Sequence, residues 1–179
     1  PIHPYIPIII GVISVSLSAI FVKLATSDAG VIAFYRMLFS VLMMLPIFLW
    51  KYVHELKELS KKDWLYSSLA GIFLAFHFIL WFESLNYTSV ASSTVLVTMQ
   101  PLFAFIGTYL FFGEKISRKT ILAGVIAIIG SVLISWGDFK ISGSALYGDI
   151  LAIIACALIT GYLLFGQDVR KRLSLMTYT

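Results

Sequence analysis

The chain has 179 residues, of which 60% are hydrophobic and only 12% charged, with a formal net charge of +4 and a mean hydropathy of +0.96. So little polar surface cannot solvate a globule of this size, and water is therefore not its main solvent. The basic residues fall in short hydrophilic gaps and form no continuous face, which excludes a nucleic-acid partner.

Six apolar runs follow one another, roughly Tyr5–Ala25, Val31–Trp50, Trp64–Ser84, Val90–Phe112, Thr120–Trp136 and Leu146–Phe165. Each approaches the ~20 residues a helix needs to cross ~30 Å of hydrocarbon. They predict an all-α membrane protein, a polytopic bundle of six transmembrane helices in contact with the lipid bilayer. The first run reads as a retained helix rather than a signal peptide: no basic stretch precedes it, and no small-residue cleavage site follows before Lys23 and Asp28. Short gaps make sequential helices antiparallel neighbours.

Lys and Arg set the orientation. Lys51, Lys57, Lys61 and Lys62 follow the second run; Lys115, Arg118 and Lys119 follow the fourth; Arg170, Lys171 and Arg172 follow the sixth. The gaps after the first, third and fifth runs hold only Lys140. The positive-inside rule then places the N-terminus and the even gaps in the cytoplasm, in a multi-pass protein of the plasma membrane.

Local chemistry marks the ends and contacts of these runs. Ser60, with Asp63 three residues on, can cap the third run, and Ser89 and Ser117 can cap the fourth and fifth. Trp50, Trp64 and Trp136 stand at run ends, where an amphipathic ring prefers the headgroup layer. Ala123, Ala127, Ser131 and Ser135 form a small-residue stripe, with Gly124 and Gly130 beside it, and predict a helix–helix contact. Ala157 and Gly161 predict another in the sixth run, where the lone Cys156 reads as a packing residue. Pro101, inside the fourth run, leaves the Val97 carbonyl without its partner and predicts a kink.

Polar residues within the runs are the functional candidates, because burying them is costly. Arg36 lies roughly 7–8 Å from the middle of the second run at ~1.5 Å per residue, too deep for an interfacial anchor. Lys23 and Glu83 lie about two turns from the centre of their runs, where an anchoring side chain can snorkel to the surface. Glu83 is the charge partner this chain offers Arg36. His77, Trp81 and Ser84 share a face of the third run and Thr94, Thr98 and Pro101 a face of the fourth, with Ser93 and Gln100 adjoining; His77, Trp81, Thr94, Thr98 and Gln100 join Lys23 and Arg36 as candidate cavity residues. No catalytic, metal-binding or cofactor motif is present, and His77 and Glu83, six residues apart, sit roughly 120° apart around a helix, unsuited to acid–base chemistry.

Two stretches carry a family likeness. Trp81 through Thr94, running on to Gln100-Pro101-Leu102, resembles the third-to-fourth helix region of the drug/metabolite transporter superfamily, EamA type. Phe111 through Ser117, with its Gly113-Glu114-Lys115 turn, and the segment Gly124 to Ile134 are similar to that family's next turn and fifth helix. Ile32-Ala-Phe-Tyr-Arg36 resembles its second helix.

The resemblance implies a transporter that exports small organic metabolites, amino acids or related compounds, by alternating access, and is no enzyme. It also implies an inverted-repeat fold, with the first, third, fourth and sixth helices lining the cavity; the loop charges independently reverse the sixth helix relative to the first. Residues 1–137 would then be the first five-helix repeat and 138–179 the first helix of a truncated second repeat. The missing second repeat completes the cavity if the chain is a fragment; an antiparallel homodimer is the alternative, against which the charge bias argues. An intramembrane enzyme and a non-transporting membrane interaction protein are the rival functions.

Overall fold

The computed structural model describes residues 5–113, 117–141, 143–171 and 173–179. Among these residues eight α-helices follow in order: α1 Tyr5–Leu24, α2 Ala29–Ile47, α3 Lys61–Tyr87, α4 Val90–Val97, α5 Gln100–Phe112, α6 Arg118–Ile141, α7 Ala145–Val169 and the short α8 Leu175–Tyr178. Six segments are long and apolar enough to cross a membrane, with α4 and the start of α5 together making one of them. The fold is an all-α polytopic bundle, with no strand among the described residues. Lys115 and Arg172, two of the orienting charges, lie outside those residues, as do Glu114 and Ile116 of the family-like turn.

Helix ends form where the chain supplies caps. Ser60 Oγ accepts from the Asp63 N–H at 3.2 Å while Asp63 Oδ2 accepts from the Ser60 N–H at 2.9 Å, a reciprocal pair that satisfies two free donors. Ser89 accepts from Ser92 N at 3.1 Å and Ser117 from Thr120 N at 3.1 Å, starting α4 and α6. Gly113 ends α5 in the left-handed region at φ 65°, where its N–H reaches the Tyr109 carbonyl. Pro46, near the end of α2, has no N–H to give the preceding turn, and the helix widens directly after it into a π turn at Phe48–Tyr52 and then tightens at Val53–Lys57.

The fourth apolar run is broken rather than bent. Helix α4 stops at Val97, Met99 N–H turns back to the Leu96 carbonyl at 3.3 Å, and α5 restarts at Gln100. Pro101 cannot donate to the Val97 carbonyl, and Thr98 returns its hydroxyl to the carbonyls of Thr94 and Val95, each at 2.9 Å.

Helices α3 and α7 are the spine. Tyr66 meets Phe165 edge-on, Phe73 stacks on Phe165 and lies against Gly161, His77 bonds Ala155, and the Ser84 carbonyl approaches Gly148. Partner numbers fall along α7 as they rise along α3, so the helices run antiparallel in close register. The seam is made by small residues on α7: Ala152, Ala155 and Cys156 are wholly buried, as packing in lipid requires when helices gain little from hydrophobicity. Ala157 is exposed, so of the pair Ala157 and Gly161 only Gly161 belongs to this contact. On α6 the contact edge runs through Gly124, against Leu102, and Ser131, against Met99. Ala123 and Ala127 are exposed, turned about 100° and 60° from Gly124 around the helix.

Polar clasps hold both ends. At the end carrying Asp28 and Thr88, Asp138 Oδ2 on α6 accepts from Ser89 N at 3.2 Å, Ser92 Oγ at 2.6 Å and Thr88 Oγ1 at 3.3 Å, joining α6 to the start of α4. At the Lys57 end, Glu55 Oε2 accepts from Ser174 N at 3.0 Å, Ser174 Oγ at 2.9 Å and Thr177 Oγ1 at 2.5 Å, seating α8. Tyr178 lies over Gly166 and donates its hydroxyl to the Tyr162 carbonyl at 2.6 Å. Burial pushes the Tyr178 phenol above its usual pKa, so it stays a donor.

Candidate functional site

Arg36, two turns into α2, points across α1 and α3. Its Nη1 donates to Ser18 Oγ of α1 at 2.5 Å, and its guanidinium carbon lies 4.5 Å from the Phe78 ring centre and 5.6 Å from that of Phe82 on α3. Phe78 and Phe82 are four residues apart and so present one face. A cation in the hydrocarbon region costs about 2.5–3.5 kcal/mol on insertion scales. A desolvated cation–π contact returns about 2 kcal/mol, and a hydrogen bond from a charged donor ~1.5–3 kcal/mol. Local contacts therefore match the burial cost without any carboxylate.

No Arg36–Glu83 ion pair forms. Glu83 lies one step beyond Phe82, turned about 100° from the face that meets Arg36, and its Oε2 accepts from Asn86 at 3.3 Å. Arg36 instead lines a cavity of about 340 Å³ between α1 and α2, with Ser14, Ser18 and Ile32 among its walls. Ser14 turns its hydroxyl back to the Ile10 carbonyl at 2.8 Å, leaving the Arg36 charge as the strongest polar feature of this cavity.

Beside the cation, His77 and Trp81 stack at 5.8 Å and 27°, both nearly sealed at 5% and 3% exposure. His77 Nδ1 lies 2.8 Å from the Ala155 carbonyl. A carbonyl can only accept, so Nδ1 carries a proton and Nε2 is the acceptor of the neutral ring. Trp81 Nε1 is buried with no hydrogen-bond partner, an arrangement that costs ~1–3 kcal/mol. His77 and Glu83 face different sides of α3, and among the described residues no group of three or more His, Cys, Asp and Glu is placed to hold a metal.

The remaining candidates disperse. Lys23 Nζ donates to the Leu85 carbonyl in the last turn of α3, where free carbonyls and the negative helix end favour a cation. Thr98 bonds its own helix, Thr94 Oγ1 is buried without a partner, and Gln100 opens α5 half-buried. Sequence reasoning missed Ser18, which is one of three alternating serines, Ser14, Ser16 and Ser18, in the first run and has no signal of its own. Ser84, on the His77 face of α3, and Ser93, beside Thr94 on α4, are brought together: their hydroxyls meet at 2.6 Å.

The EamA-like transporter family matches residues 4–136 of the chain. Over 120 residues the chain is 25% identical to an uncharacterized transporter, YxxF, of Bacillus subtilis (strain 168), covering 66% of this chain and 39% of that protein. The chain thus spans well under two thirds of this relative's length. No solved structure matches it significantly.

Proposed function

The chain belongs to the EamA-like transporter family, and on that premise we propose that it serves to export small organic metabolites bearing a carboxylate, amino acids or related compounds, by alternating access. The observation that carries this reading is Arg36: a permanent cation, held by Ser18 and two aromatic rings and paired with no carboxylate among the described residues, lining a cavity. A guanidinium cannot shed its charge to become comfortable there, and a substrate carboxylate supplies a two-point partner.

In this reading residues 1–137 form one five-helix repeat and 138–179 open a second, with the N-terminus and the Lys57 end in the cytoplasm of a plasma-membrane protein. Intact protein in liposomes should exchange radiolabelled amino acids by counterflow, and Arg36→Gln should abolish it. A carrier that moves none of a panel of amino acids and related acids would overturn the substrate class. For orientation, cysteines at Asp28 and Asn86 should react with an impermeant thiol reagent from outside cells and ones at Lys57 and Lys119 should not; the reverse pattern inverts the topology.

A further inference from the structure

A second cavity of about 590 Å³ lies between α5, α6 and α7, well away from Arg36. Its volume suits a small organic ligand, since such sites hold ~300–1,000 Å³. Its walls include Leu102, Phe103, Ile128 and Val132, and Ser131, Ser135, Trp136 and Asp149 bring polar atoms to its lining. Ser131 is already engaged with the Ala127 carbonyl at 2.9 Å. Ser135 Oγ is buried and has no partner.

Asp149 is the informative wall residue. It is 6% exposed, and its Oδ1 takes one hydrogen bond, from Thr88 Oγ1 at 2.8 Å. A carboxylate has room for about four such bonds. Thr88 has one proton to give, and Asp138 lies 3.3 Å from the same hydroxyl. Asp138 is served by Ser89 N and Ser92 Oγ besides, whereas Asp149 has no other partner among the described residues. Two carboxylates thus share a single donor, and the poorly served one faces an apolar cavity. Ser135 is one turn before Asp138 on α6, so it sits at the same end as Asp149.

An anion is repelled there, a neutral chain leaves Asp149 unsatisfied, and a metal ion would find a single carboxylate where several oxygens are needed. We propose that this groove binds amphiphilic primary amines, the ammonium held by Asp149 and Ser135 and the alkyl chain lying along the α5–α6 wall. A primary amine fits better than a quaternary one because only the former donates hydrogen bonds. From Ile128 to Trp136 the wall spans roughly 12 Å at ~1.5 Å per residue, the reach of a medium-length alkyl chain. This site is independent of the export reading above.

The test is saturation binding of radiolabelled decylamine to the intact protein in phosphatidylcholine nanodiscs. Saturable binding should appear, with Asp149→Asn raising Kd about tenfold or more, since a desolvated charge contact is lost, while Asn keeps an acceptor for Thr88. Val132→Trp should remove the saturable component by filling the groove, and Ser135→Ala should weaken it severalfold. Decanoate should not compete. Discs containing phosphatidylethanolamine, whose headgroup carries the same amine, distinguish the two sources: competition there assigns the groove to the lipid amine, undiminished binding to a free one, and either supports it. Linear partitioning alone, an unchanged Kd in Asp149→Asn, or equal competition by decanoate would each overturn the proposal. Should Asp149→Asn fail to fold, unchanged binding in both Val132→Trp and Ser135→Ala overturns it as well.

Discussion

The α3–α7 seam and the α1–α2 layer are built from similar apolar sequences yet behave as opposites. Along the seam, small residues on α7 bring backbones together: a Cβ at Gly148 would stand 2.9 Å from the Ser84 carbonyl oxygen and the Thr88 nitrogen. In the other layer α1 buries only Ala19, and α2 only Ala29 and Ala33, while nothing approaches a Cβ at Gly11 or Gly30 within 4 Å. The layer that packs least holds Arg36, the costliest residue. On the export reading proposed above, the seam would supply rigidity and the loose layer an adaptable site, since elements that rearrange are drawn from regions of few buried contacts.

The sharpest way to break this comparison is to overfill the seam. In Gly148→Val the new side chain meets backbone, which cannot swing aside, so the loss should lie at about 3 kcal/mol, the upper end for overpacking. Thermal unfolding of the purified protein in detergent would show it as a large fall in midpoint or as failure to elute monodisperse. Gly161→Ala should cost less, because its neighbour is the Phe73 ring at 3.3 Å, which can tilt. Equal losses for the two would deny the seam its special closeness.

The loose layer should answer in activity rather than stability. Arg36→Gln should reduce flux at least tenfold, which corresponds to ~1.4 kcal/mol of barrier, while leaving the unfolding midpoint unchanged or raised because a buried charge is gone. Because Glu83 bonds Asn86 and not Arg36, Glu83→Gln added to Arg36→Gln should bring no rescue, and the two effects should add. Rescue in flux would restore the ion pair that the geometry lacks.

Lys23→Met sharpens the boundary between the two regions, for it removes the amine that α1 lends to the Leu85 carbonyl at the end of α3. A loss of about 1 kcal/mol is expected, since one carbonyl with a second lone pair and nearby water is left. Hydrogen exchange at the amides of 85–88 should rise. Exchange spread evenly along α3 would mean that the contact supports the whole helix.

Much of the fold was legible because length and polarity dictate it: six runs gave six spanning segments, and Ser60, Ser89 and Ser117 start helices where a hydroxyl precedes an apolar stretch. Contact faces were less so. Ala123 and Ala127 looked like an interface, but small residues only permit approach, and whether a helix comes near depends on tertiary geometry. The same holds for the site. Arg36 stood out by its charge and depth, whereas its partners, Ser18 and two phenylalanines, resemble any other membrane residues until the helices are assembled. Asp138 and Asp149 carried no signal in the sequence, because each sits near a run end where a charge is ordinary; only the shared Thr88 hydroxyl sets them apart.

The smallest effect completes the comparison. Gly11→Ala and Gly30→Ala place a methyl where no atom lies within 4 Å, so sterics predict no loss. Alanine also keeps less backbone freedom in the unfolded chain, a helix-favouring difference of ~0.5–1 kcal/mol. Both variants should thus melt at or slightly above the parent temperature, with export intact. A fall approaching that of Gly148→Val would mean that α1 and α2 are closely covered in the assembled protein. The contrast between a rigid seam and a loose, functional layer would then collapse, and Arg36 would have to be read as a packed structural cation.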